Sequence, residues 1–140
     1  MFLLSALRDS YANQIITMAR LLIVCCETDL SNWVSAILRS RGHEVAEAQK
    51  ARDALMLIRA LPFDALLIDI AAPEGERFDF LRELQREGNR SKIIAVSPGG
   101  AAISSQLALL ISRALGADAI LYRPFSSDEL LDAVQAVLGA

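Results

Sequence analysis

From Leu21 onward, short apolar runs alternate with segments whose apolar residues recur at helical spacing. The runs Leu21–Cys25, Ala65–Asp69, Ile93–Ser97 and Ala119–Tyr122 are nearly continuous, as strands are when both faces of a sheet are covered. Glu44–Ala48, within HEVAEA, alternates instead and predicts an edge strand.

Between the strands, Leu30, Trp33, Val34, Ile37 and Leu38 share one helical face, and Gly42 stands where a C-terminal cap belongs. A second helix is predicted near Arg52–Ala60, stopping at Leu61-Pro62, and a third over roughly Arg77–Arg86, ending at Gly88. Ile103, Leu107, Leu110, Ile111 and Ala114 mark a fourth, closed by Gly116. The fifth opens with Ser126-Ser127-Asp128-Glu129, a capping box, and carries the stripe Leu130, Val134, Val137 and Leu138.

Strict alternation of this kind predicts an α/β fold, an open doubly wound parallel sheet of five strands in a (βα)5 plan, because each crossover is right-handed. Function then belongs at the carboxyl ends of the strands, near a switch in strand order. Residues 20–140 form this unit, and residues 1–19 are an N-terminal extension to it. Leu4, Leu7, Tyr11, Ile15 and Met18 fall on one face of a helix too short to stand alone in water. Two readings of it stand open: a cover for its own domain or a stretch upstream of a start at Met18, and a helix for dimerisation or partner docking.

Composition narrows the class. The net charge is −3 with no block of like charges, so neither nucleic acid nor a membrane surface is indicated as a partner. The opening MFLLSALRDS lacks a basic leader, and Arg8 and Asp9 break its apolar run, which excludes a signal peptide or a membrane span and points to a cytoplasmic protein. Cys25 and Cys26 are the only cysteines. As neighbours their α-carbons lie about 3.8 Å apart, below the roughly 4.4–6.8 Å of an ordinary disulfide, so they are not a secreted framework.

The strand ends gather Cys25, Cys26 and Glu27 after the first strand, Asp69 after the third, Ser97 after the fourth, and Arg123-Pro124 after the fifth. An acid, a hydroxyl and a cation meeting there suit a phosphoryl group, with Asp69 as nucleophile. Here FDALLIDIAAP resembles the acceptor strand of the receiver domains of two-component response regulators (CheY-like), KIIAVS their fourth strand, and GADAILYRPFSSDEL their fifth strand and last helix.

The resemblance implies a flavodoxin-like strand order of 2-1-3-4-5. It makes Asp69 the acceptor of a phosphoryl group from a histidine kinase, Ser97 the hydroxyl that contacts the phosphoryl, and Pro124 a proline preceded by a cis bond. The departures from it are specific. Cys25 and Cys26 stand where the family has the paired acids that hold Mg²⁺, Arg123 where it has lysine, and Ile120 where it has a switch aromatic. Ala72 replaces a methionine before Pro73, EGERFD lacks the usual Asp-Gly, and the connection through SPGGAAISSQ is longer than is typical.

Mg²⁺ demands octahedral oxygen ligands, whereas thiols are soft and an ordinary thiol is protonated near neutrality. The substitution therefore predicts weak or absent Mg²⁺ binding and no metal or cofactor, with Glu27 and Asp29 as the only oxygen donors left beside Asp69. Arg123 is then expected to pair directly with Asp69 through its planar fork. Buried cysteine as a simple core residue outweighs a metal or redox role for Cys25 and Cys26, and His43, the lone histidine, lies at the far end of the second strand.

Three functions follow. The first is a non-enzymatic, stand-alone pseudo-receiver, a protein-interaction module of two-component-type signalling that works without Mg²⁺-dependent aspartyl phosphorylation. Its partner is a histidine kinase, a downstream signalling protein or a second copy of the chain, met through the face of the fourth helix, fifth strand and fifth helix or through the N-terminal helix. The second is a working phosphoacceptor modified on Asp69. The third is a thiol-based sensor using Cys25 or Cys26.

Overall fold

The computed structural model describes residues 18–70, 74–97, 110 and 113–139. Its elements are β1 (Arg20–Val24), α1 (Thr28–Ser40), β2 (Glu44–Ala48), α2 (Ala51–Ala60), β3 (Ala65–Asp69), α3 (Glu74–Arg86), β4 (Lys92–Val96), β5 (Ala119–Leu121) and α4 (Ser127–Leu138). All strand pairings are parallel, and the five-stranded sheet has the order β2-β1-β3-β4-β5. This is the doubly wound parallel sheet that the alternation of elements predicted, in the flavodoxin-like order that the receiver resemblance implied.

Successive residues of a strand point to opposite faces, and the sheet buries both. Leu22 and Val24 of β1, Leu66 and Ile68 of β3, and Ile93 and Ala95 of β4 form one core with Ala54 of α2 and Phe80, Leu81 and Leu84 of α3. Leu21, Ile23, Leu67, Ile94 and Val96 form the other, with Val34 and Leu38 of α1 and Leu130, Val134 and Val137 of α4. The central strand β3, ALLID, is buried along its whole length, so full burial of each large aliphatic side chain contributes about 1.5–3 kcal/mol. The alternating strand β2 sits at the edge, with Glu44 and Glu47 exposed.

Local signals place the helix ends. Gly42 and Gly88 adopt φ of +89° and +73°, a left-handed conformation that a β-carbon would strain, and they turn the chain after α1 and α3. Ser126 caps α4, accepting from the Glu129 amide at 3.1 Å while the Glu129 carboxylate accepts from the Ser126 amide at 3.3 Å. Helix α3 begins at Glu74, ahead of the expected Arg77, because its first turn, EGER, carries no apolar mark in the sequence. The fourth crossover helix expected around Ile103–Ala114 lies mostly outside the described residues, as do the helix expected within residues 1–19 (up to position 17), Ala72, Pro73 and the SPGGAAISSQ connection.

At the amino end of the sheet His43 is 7% exposed, and its Nδ1 accepts a hydrogen bond from the Ala19 amide at 3.0 Å. The imidazole is therefore neutral, with its proton on Nε2. Burial lowers its pKa from the ordinary histidine value.

Candidate functional site

The site is made by residues one step beyond the strands. Cys25, Ile70 and Ser97 still donate their amides into the ladder, to Ala48, Val96 and Leu121 at 3.0, 3.1 and 2.8 Å. Strands β1 and β4 thus end one residue earlier than the apolar runs suggested. The backbone of Cys25 and Ser97 stays fixed by the sheet while their side chains close its carboxyl edge.

Asp69, the last residue of β3, is 3% exposed, and Ser97 is 2% exposed. Cys25 Sγ lies 3.5 Å from Asp69 Oδ2 and 3.5 Å from the Glu27 carbonyl oxygen, and it has a single proton to offer the two. Burial pushes the Cys25 thiol up to about 12; hydrogen bonding with the Glu27 backbone opposes this, and the Asp69 charge adds to it. Cys25 is accordingly a neutral donor to a carboxylate. Its neighbour Cys26 is exposed, and neither thiol is in a disulfide.

Arg123 corrects one expectation. Its Nη2 donates to the Glu27 carboxylate, an ion pair spanning 96 positions of sequence, in place of the expected fork on Asp69. Asp69 acts on the guanidinium as a longer-range charge. The Glu27 hydrogen bond and the charges of Asp69 and Glu27 raise the Arg123 pKa against the opposing cost of burial, so the side chain stays cationic. The pair is asymmetric in exposure, 18% for Arg123 and 52% for Glu27. Sequence reasoning found both residues but not their pairing. The only signal was that each follows a strand end, and spacing along the chain does not encode reach across a sheet.

The Arg123-Pro124 peptide bond is cis, as the resemblance implied. Ile120 is partly buried against the core that includes Leu66 and Ile93, an apolar packing role. One contact was not anticipated: the Trp33 ring of α1 meets Phe125 with centroids 5.7 Å apart and planes inclined at 50°.

The receiver resemblance brings Mg²⁺ into question, and the donors around Asp69 are a poor match for it. They are a neutral buried thiol, an exposed thiol, and a carboxylate already paired with Arg123. Among the described residues, no group of three or more His, Cys, Asp or Glu side chains is placed to hold a metal ion. A hard dication finds neither the oxygen number nor the octahedral disposition it requires in such a set.

A profile of the response regulator receiver domain matches residues 21–135. The chain belongs to the response-regulator receiver family. This receiver is 35% identical over 120 residues to a response regulator receiver protein of Anaeromyxobacter sp., covering 82% of the chain and 47% of that protein. It is 30% identical over 129 residues to a probable transcriptional regulatory protein of Picosynechococcus sp., covering 87% of the chain and 50% of that protein. The chain thus spans about half the length of the curated relatives it matches. Among solved structures, a CheY-like receiver domain protein from Methanospirillum hungatei superposes with a TM-score of 0.77 at 30% identity, over 87% of this chain and 94% of that one. The beryllofluoride-activated NtrC4 receiver, solved as a dimer, gives a TM-score of 0.75 at 26% identity over 86% of this chain and 96% of that one. The fold and the signalling class are those of two-component receivers. Among the described residues, no helix is long and apolar enough to cross a membrane.

Proposed function

We propose that this receiver is an atypical one, a protein-interaction module of two-component-type signalling whose state does not depend on Mg²⁺-assisted phosphorylation of Asp69. The observation that carries the reading is the Cys25 thiol beside Asp69, at 3.5 Å and pushed up to about 12. A carboxylate at that place would add negative charge and draw a cation; a neutral S–H instead adds no charge and offers the aspartate a weak donor. Phosphoryl transfer relies on metal and cationic groups to meet charge on the transferring oxygens. Of these, the structure supplies Arg123, and Glu27 already holds it. Output then comes through contact between protein surfaces, with a kinase, a downstream protein or a second copy as partner.

A second reading keeps some support, because Asp69, Ser97 and Arg123 do converge at neighbouring strand ends as in a working phosphoacceptor. Incubation with acetyl phosphate and Mg²⁺, followed by intact mass measurement, separates the two. The expected result is no phosphoryl adduct on the wild type; stoichiometric modification of Asp69 would establish the phosphoacceptor instead. A thiol sensor is disfavoured at Cys25, since a thiol so far from ionisation is a poor nucleophile.

A further inference from the structure

The chain enters β1 at a fixed point. The Ala19 amide donates to Nδ1 of buried His43, and the Arg20 amide to the Asp64 carboxylate at 2.8 Å, so the sheet sets the position from which residues 1–17 depart. Two cavities flank that position. The larger, of about 770 Å³, lies between the end of α1 and the side of α4, and its lining includes Met18, Arg41, Gly42, Asp128, Leu131 and Asp132. The smaller, of about 320 Å³, shares Met18 and Gly42 with it.

Residues 1–17 lie outside the described residues, and their sequence carries what such a groove would take. Leu4, Leu7, Tyr11 and Ile15 run at spacings of three and four into Met18, so the apolar stripe ends on a side chain that lines both cavities. A short helix with that stripe needs a surface to pack on. Its reach is ample: as a helix, residues 1–17 span about 25 Å, against roughly 10 Å of α4 from Asp128 to Gln135 along the larger cavity. Charge agrees as well. Arg8, the one basic side chain of the segment, sits one turn from Leu4 and from Tyr11, while the α4 wall presents Asp128 and Asp132, exposed and one turn apart.

We propose that residues 1–17 form a helix that docks in this groove of its own domain, its stripe against Met18 and Leu131 and its Arg8 toward the acids of α4. The docking concerns the face between α1 and α4, and it stands whether or not Asp69 ever accepts a phosphoryl group.

Peroxide oxidation of the full chain, read by peptide mass spectrometry, tests this with an internal reference. Met18 and Met56 are 58% and 64% exposed, so uncovered thioethers at the two places would oxidise at similar rates. Docking is expected to make Met18 several-fold slower than Met56. Leu7→Asp combined with Tyr11→Asp, which breaks the stripe and leaves the domain's own residues intact, should bring the two rates together. Asp128→Asn combined with Asp132→Asn, at exposed positions of the groove wall, should also speed Met18, which a helix folded only on itself would not show. Equal rates in the wild type would overturn the proposal, as would slow Met18 oxidation that either pair of substitutions leaves intact. Protection that fades on dilution would reject it too, assigning the groove to the extension of a second copy.

Discussion

Cys25 shows how one side chain changes the chemistry available to its neighbours. Its thiol is buried 3.5 Å from Asp69 and pushed up to about 12, while Cys26 next to it is exposed. Iodoacetamide applied to the native protein near neutral pH should therefore label Cys26 and spare Cys25, with both labelled in denaturant; peptide mass spectrometry reads the result. Native labelling of Cys25 at a comparable rate would contradict its burial and its protonation. Ser35 is a second informative residue. It is 1% exposed on α1, and its hydroxyl has no hydrogen-bond partner. An unsatisfied buried hydroxyl costs about 1–3 kcal/mol, so Ser35→Ala should leave urea stability unchanged or raise it by about 1 kcal/mol. A clear loss would mean that the hydroxyl has a partner in solution.

Among the elements, the start of β1 depends on a side chain from the start of β2. The Ala19 amide donates to Nδ1 of His43, and the Glu44 amide returns a bond to the Ala19 carbonyl at 2.9 Å. Protonating the imidazole would place hydrogens on both nitrogens and break the first of these bonds. Because the folded pKa lies below the ordinary value of about 6.5, the unfolded chain binds more protons between the two, and stability rises with pH through that window. The contribution is complete above about 6.5 and is lost as pH falls toward the folded pKa. Urea midpoints should fall from pH 7 to pH 5 in the wild type and less steeply in His43→Asn. Parallel slopes for the two proteins would assign the pH dependence elsewhere.

Taken as a whole molecule, the receiver has the family's scaffold, and the departure proposed for it lies in the charge balance at one edge of the sheet. Arg123 belongs to neither core, whereas Cys25 is part of the one that includes Leu21, Val34 and Leu130. Replacing the site's thiols should therefore change stability as well as metal response. Cys25→Asp combined with Cys26→Asp would set a second carboxylate beside buried Asp69, costing about 3 kcal/mol or more without a cation. Millimolar MgCl₂ should raise the thermal midpoint of this double variant and leave that of the wild type unmoved. A wild-type shift as large as the variant's would remove the argument from donor chemistry.

The sequence by itself determined what is local or periodic. Short continuous apolar runs such as ALLID, bounded by turn signals, read as strands buried on both faces, the alternation in HEVAEA marked the edge strand, and Ser126 with Glu129 wrote the start of α4. It also determined which residues stand at the strand ends, because parallel alternation sends every carboxyl end to one side. Tertiary structure alone decided who pairs with whom there. Arg123 found Glu27 in place of Asp69, and Trp33 found Phe125, across separations where spacing carries no information. The reason is geometric: local periodicity fixes the direction in which a side chain leaves its element, whereas its partner depends on sheet order, twist and the reach of a long side chain.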